Sequence, residues 1–198
     1  WGCFVKKKPF TSMSDVLYRN PNHPEGWRGA KAHRNDRKNG QHSSREKQVM
    51  SETKNGRSDE YYMRRALRLA RKGEGRVSPN PLVGTVIVRD DRIIGEGYHR
   101  CCGENHAEIN AIENATEAVA GAVFYITLEP CSHFGRTSPC VNALLACRPG
   151  RVVVGTTDPN PLVSGKGIQT LAQHGIETKI GVLAEACCRL NEVFFKYI

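Results

Sequence analysis

Three side chains that can bind a metal lie far apart along this chain. Their spacing constrains the fold more than any other feature of the sequence. His106 begins the segment His106-Ala107-Glu108, Cys131 follows Pro130, and Cys140 follows Pro139. Cys101 and Cys102, nearer to His106, are rival thiols on composition alone, though the flexible Gly103 makes them poor support for a metal. One imidazole and two thiols are borderline-soft donors, a set that suits a tetrahedral Zn²⁺ with its fourth position left for water. A structural site would fill all four positions with protein, so three ligands point to a catalytic ion. Glu108 stands two residues past the histidine. A carboxylate there need not bind the ion. It can take a proton from the activated water and deliver it to a substrate nitrogen.

The remaining cysteines argue against a disulfide scaffold. The chain has eight, but Cys101-Cys102 and Cys187-Cys188 are adjacent pairs, which suit disulfide geometry poorly. With 198 residues and 39% hydrophobic content, the chain can bury a core and needs no staples. A reducing cytoplasm is the expected home, or a plastid if the source is a plant. No apolar run approaches the length of a membrane span, and no charged-then-apolar leader is visible.

Charge divides the chain. Residues 1–57 hold 13 Lys/Arg against 5 Asp/Glu, whereas residues 58–198 hold 16 against 15. The front segment lacks sustained apolar periodicity and carries turn-prone pairs such as Asn20-Pro21 and Asn39-Gly40. It reads as a basic extension, disordered or non-native. His23, His33 and His42 sit there without ligand spacing. The ordered domain is expected over residues 58–198.

Within that domain the elements alternate. Asp59 and Glu60 place acid in a first helical turn, and Tyr62, Met63, Ala66, Leu67 and Ala70 repeat on one face. The prolines of Ser78-Pro79-Asn80-Pro81 predict a stiff extended loop, whose Asn80 amide can offer both a donor and an acceptor to a heterocycle. Val83–Val88 and Ile93–Tyr98 predict a hairpin about Asp90-Asp91, with His99 at its exit. His106 to Glu117 predicts a helix with the histidine in its first turn. Ala122–Leu128 reads as a central strand, and Pro139 opens a helix that puts the Cys140 thiol at its positive end. Cys147 closes that helix as a core residue. Arg151–Thr156 is a second buried strand. Asp158 and Asn160 follow its C-terminal end, where α/β sheets place ligands. Gly165-Lys166-Gly167 could offer backbone N–H groups and an ammonium to a phosphate. A helix, a strand at Ile176–Ile180 and one amphipathic helix from Val182 to Tyr197 complete the chain. This order predicts a three-layer α/β/α sandwich with a mixed sheet.

The pattern H-x-E…P-C-x-x-C is the signature of zinc nucleobase deaminases. Here His106-Ala107-Glu108 and Pro130-Cys131 match it, but Cys140 comes after eight intervening residues rather than two. With that longer loop, the chain resembles the deaminase half of riboflavin-biosynthesis proteins of the RibD type. The resemblance extends to Ser78–Gly84, Gly95–His99 and Asp158–Gly167, and it covers Asp59 to Ile198. It implies a cytidine deaminase-like fold, a Zn²⁺ cofactor, metal ligation by His106, Cys131 and Cys140, and Glu108 as proton shuttle. The implied substrate is a small pyrimidine ribosylamine phosphate. Contacts are implied for Asn80, His99, His133, Arg136, Asp158, Asn160 and Lys166, with Arg136 pairing to the phosphate. The chain departs from the family at Asn110, Phe134 and Ser138, none of them a ligand. Relatives continue past a segment like Leu190-Asn191-Glu192-Val193-Phe194-Phe195-Lys196 into a reductase. Deaminase activity without reduction is therefore expected of this chain. A homo-oligomer is compatible with the sequence.

Three rivals stand beside this reading. Another zinc deaminase, acting on cytidine, guanine or tRNA adenosine, would favour the two-residue cysteine spacing. A nucleic-acid binder would use the basic arm, though nucleic acid is not the expected partner. A structural zinc protein would have no use for Glu108.

Overall fold

Strand residues in this protein bury side chains on alternate sides, and two separate cores result. Phe124, Ile126, Val152, Val154 and Ile87 face one way, whereas Tyr125, Val153, Val86 and Val88 face the other. A sheet buried on both faces must lie between two helical layers. The computed structural model describes residues 56–133, 138–160 and 164–197. The chain divides into two units, Trp1–Lys54 and Asn55–Ile198. The first lies outside the described residues, and with it nearly all of the expected basic extension.

The sheet has five strands: β1 (Gly84–Arg89), β2 (Arg92–Tyr98), β3 (Val123–Leu128), β4 (Arg151–Thr156) and β5 (Glu177–Ile180). Their spatial order is β2-β1-β3-β4-β5. The β1 pairings with β2 and β3 are antiparallel, and the β3–β4 and β4–β5 pairings are parallel. The sheet is mixed, as expected, and β3 occupies its centre. Helix α1 (Asp59–Ala70) covers one face together with α5 (Ala184–Leu190). Helices α2 (Ala107–Glu113), α3 (Cys140–Cys147) and α4 (Lys166–Gln173) cover the other, and a short α6 (Glu192–Phe195) follows α5.

Local chemistry accounts for most boundaries. Ser58 caps α1 by accepting the Tyr61 N–H. Asp90 and Asp91 both adopt positive φ, the conformation of a two-residue hairpin turn that matches strand twist. Among the described residues the seven cysteines are free, and no helix is long and apolar enough to cross a membrane.

Several expectations need correction. Helix α2 is shorter than His106–Glu117, because Thr116 turns back to β2 through its N–H and hydroxyl, both donating to the Ile94 carbonyl. The C-terminal helix is two helices. Asn191 breaks it by reaching across to Leu82, accepting its N–H at 2.8 Å and donating to its C=O at 2.9 Å. The Ser78–Asn80 segment is a tight turn rather than an extended loop: Asn80 N–H closes onto the Val77 carbonyl at 2.8 Å, around a cis Ser78-Pro79 bond. Cys147 is half-buried at the end of α3 and not part of the core.

Candidate active site

The three predicted ligands meet at the C-terminal end of β3. The donor atoms of His106, Cys131 and Cys140 all lie within 4.8 Å of one another, and this is the metal-competent cluster found among the described residues. His106 Nδ1 is 3.2 Å from Cys140 Sγ and 3.6 Å from Cys131 Sγ. Cys101 and Cys102, close to His106 in sequence, take no part in the cluster.

Each ligand is held by an element boundary. His106 is extended and serves as the N-cap of α2, so it precedes the first turn instead of lying within it. Cys131 leaves the core strand β3 through Glu129 and Pro130. Cys140 begins α3, and its backbone N–H donates to Cys131 Sγ at 3.2 Å. Val141 N–H donates to the Cys131 carbonyl. Cys140 stands at the start of α3, as expected, and the first N–H of that helix bonds the sulfur of Cys131. Hydrogen bonding from Cys140 lowers the Cys131 thiol strongly from its ordinary range, with His106 assisting. The hydrogen bond to Cys131 and burial raise Cys140. The Cys131 hydrogen bond raises His106.

Glu108 is 3% exposed on the first turn of α2. Burial pushes its carboxyl up to about 7, and the charge on Cys131 adds to this. Gly97 of β2 makes that placement possible. A Cβ there would sit 2.3 Å from Ala111 N and 2.4 Å from the Ala107 carbonyl, so only glycine lets α2 pack this close.

A cleft of about 550 Å³ opens over the cluster. Asn80, His99, His106, Glu108, Cys131, His133, Asp158 and Asn160 all line it. His99 is buried between two partners: Nδ1 lies 3.1 Å from the Asn105 carbonyl and Nε2 lies 3.0 Å from Asn80 Nδ2. A carbonyl only accepts, so Nδ1 carries the proton and Nε2 accepts from the Asn80 amide. Burial lowers the His99 pKa, which favours this neutral form. His133 is exposed at the cleft, and Arg136 lies outside the described residues. Lys166 is exposed in the first turn of α4 and does not line the cleft. The Gly165 and Gly167 N–H groups, which the sequence could have offered to a phosphate, donate to Glu129 at the entry to α4.

The donor set fits zinc. Two sulfurs and an imidazole converge with no fourth side chain in the cluster, and the Cys140 N–H that Cys131 Sγ accepts favours the thiolate form that binds a metal. Residues 56–156 match the family model described as the cytidine and deoxycytidylate deaminase zinc-binding region. This chain belongs to that zinc-binding deaminase family. Among curated relatives of this deaminase family, it is 53% identical over 137 residues to the riboflavin biosynthesis protein RibD of Synechocystis, covering 69% of this chain and 37% of that protein. It is 49% identical over 138 residues to the diaminohydroxyphosphoribosylamino-pyrimidine deaminase of Buchnera aphidicola, covering 70% of this chain and 94% of that one. Among solved structures, RibD of Acinetobacter baumannii superimposes with a TM-score of 0.67 at 49% identity, covering 70% of this chain and 39% of that chain. The chain thus spans well under half the length of the RibD relatives. It shares the cytidine deaminase-like fold and is similar throughout the deaminase region.

Sequence reasoning missed several residues at this site. Asn110, a departure from the family pattern, is buried and donates to the Tyr98 and Asn105 carbonyls, bracing the loop before His106. Phe194 of α6 lines the cleft from the far end of the chain. No local signal marks either role. Glu129 lay inside the quoted motif, but its buried position became visible only in three dimensions.

Proposed function

We propose that residues 58–198 form a zinc-dependent hydrolytic deaminase of riboflavin biosynthesis, preceded by a basic extension over residues 1–57. The proposed substrate is 2,5-diamino-6-ribosylamino-4(3H)-pyrimidinone 5′-phosphate. The observation that carries the reading is the buried Glu108 carboxyl beside the His106, Cys131 and Cys140 donor set, on the floor of a cleft large enough for a nucleotide-sized molecule. The names of the Buchnera and Synechocystis relatives support the choice of substrate.

His106, Cys131 and Cys140 would hold the ion, which when bound supplies a water of near-neutral pKa and Lewis-acid polarisation. Glu108 does the proton work. It accepts a proton from the water, passes it to the ring nitrogen next to the amino-bearing carbon, and then carries a second proton from the hydroxyl added at that carbon to the departing nitrogen, leaving a carbonyl. The amine then leaves as ammonia. Without that delivery it would have to leave as amide ion, which is far too basic. Burial suits Glu108 to the task, because a carboxyl held near neutrality can both take and give a proton.

Asn80 reads the heterocycle edge, with its amide plane set by His99. His133, Asp158 and Asn160 line the route to the ribosylamino phosphate, and Arg136 and Lys166 remain candidates for the phosphate itself. A reducing compartment, cytoplasm or plastid, would keep the two ligand sulfurs available.

The test is zinc content and ammonia release from the pyrimidinone phosphate, with cytidine and guanine assayed alongside. Glu108→Gln should keep its zinc and lose turnover by roughly 10²–10⁴-fold. Turnover of cytidine alone would remove the riboflavin assignment, and full activity in the glutamine variant would remove Glu108 from the chemistry.

A further inference from the structure

Glu129 separates the core strand β3 from Cys131, and the proton transfers described above make no use of it. Its side chain is buried. One carboxylate oxygen, Oε1, accepts the Gly167 N–H at 2.9 Å. The other, Oε2, accepts the Gly165 N–H at 2.9 Å and the Asp158 N–H at 3.2 Å. Its own N–H donates to the Thr156 carbonyl at 2.9 Å. The approach is tight: a Cβ at Gly167 would lie 2.2 Å from the Pro130 carbonyl oxygen. An internal carboxylate thus closes the start of α4. The same three bonds fasten both ends of the connection from β4 to α4. That connection carries Asp158 and Asn160 into the cleft, and Asp158 Oδ1 in turn accepts the Asn160 N–H at 2.9 Å.

We propose that Glu129 is a positioning residue for substrate: its carboxylate clamps the Asp158–Asn160 wall of the cleft to the peptide that carries Cys131. The wall that grips the ribosylamino phosphate and the corner where the amine is lost are then held in one register. The substrate part of this inference rests on the deaminase reading; the clamp itself does not.

A carboxylate is required because it offers acceptors on both oxygens and has no hydrogen to place against a donor. Glutamine has the same size but one acceptor oxygen. Whichever way the amide turns, its NH₂ meets either the Gly167 N–H or the Gly165 and Asp158 pair. The sulfur of Cys131 has separate support from the Cys140 N–H, so the metal site should survive.

The experiment compares wild type, Glu129→Gln and Glu129→Asp, each measured for zinc content, for kcat and KM with the pyrimidinone phosphate, and for amide hydrogen exchange at residue resolution. In Glu129→Gln zinc should be unchanged, kcat should stay within about threefold, and KM should rise on the order of tenfold, the scale of one or two buried donors left unpaired. Exchange at Asp158, Gly165 and Gly167 should quicken while β1 and β3 keep their protection. Glu129→Asp retains both acceptor oxygens on a shorter stem and should fall between the two; it also serves if the glutamine variant does not fold. Unchanged KM and unchanged exchange in Glu129→Gln would overturn the proposal. So would parallel loss of zinc and kcat, which would make Glu129 a support for Cys131 alone, or an aspartate variant worse than the glutamine one. If wild type releases no ammonia from this substrate, the deaminase reading fails, and the exchange measurement still decides the clamp.

Discussion

His106 Nδ1 lies 3.2 Å from Cys140 Sγ across 34 residues of sequence. Two helix starts make that contact: α2 begins just after the histidine, and α3 begins at the cysteine. Replacing Cys140 by serine exchanges a soft donor for a hard, protonated one in a buried position. Zinc affinity should fall by more than the ~10–100-fold that losing an outer-shell partner costs. Competition with a chromophoric chelator measures this. Turnover should fall with zinc occupancy, and removing zinc from wild type with a chelator should reproduce the loss.

The His99–Asn80 pair predicts a binding defect. His99→Ala removes the acceptor that orients the Asn80 amide and leaves the Asn105 carbonyl to Asn110 alone. KM should rise several-fold, and stability should drop by about 1–3 kcal/mol for the lost packing and hydrogen bonds of a buried imidazole. Steady-state kinetics and urea melts read the two effects separately. An unchanged KM would show that Asn80 orients without help.

Asp59 ties the start of α1 to the far edge of the sheet. It accepts from Arg151, from Lys179 at 2.8 Å and from the Tyr125 hydroxyl. Burial alone would raise its pKa, but Lys179, Tyr125 and Arg151 together overcome this and lower it. The unfolded chain therefore binds the proton more readily than the folded one. The stabilisation is complete above the unfolded carboxylate value of about 4 and disappears as pH falls through the lower folded value. Asp59→Asn should cost about 1 kcal/mol at neutral pH, a modest figure because water screens Lys179. The variant's stability should also fall less steeply than that of wild type below about pH 4. Denaturant melts across that range test both points.

Gly97 predicts a coupled loss of stability and activity. Gly97→Ala forces a methyl group against the backbone of α2 at Ala107 and Ala111. The cost should be about 1–3 kcal/mol, as for other overpacked sites. The helix that must retreat carries Glu108, so kcat should fall even where the protein remains folded. Gly75 has open space around its Cβ position but a positive φ, so alanine there should lower stability by about 1 kcal/mol and leave kcat alone.

The donor chemistry of His106, Glu108, Cys131 and Cys140 was legible without coordinates, because it depends on residue type and on short motifs. So were β3 and β4, whose unbroken apolar runs have no use except inside a two-faced sheet. Helix α1 could be read from its spacing and its acidic start, since both act within a turn or two. The turn at Asn80, the break at Asn191, the buried amide of Asn110 and the triple bonding of Glu129 could not be read that way. Each depends on a partner brought near by folding: Leu82 for Asn191, Asn105 for Asn110, Gly165 and Gly167 for Glu129. Side-chain type and local spacing decide what a residue can bind or bond. Packing decides which partner it meets, and that is why Gly165 and Gly167, whose N–H groups along the chain could serve a phosphate or a plain helix entry, hold a carboxylate of the protein's own.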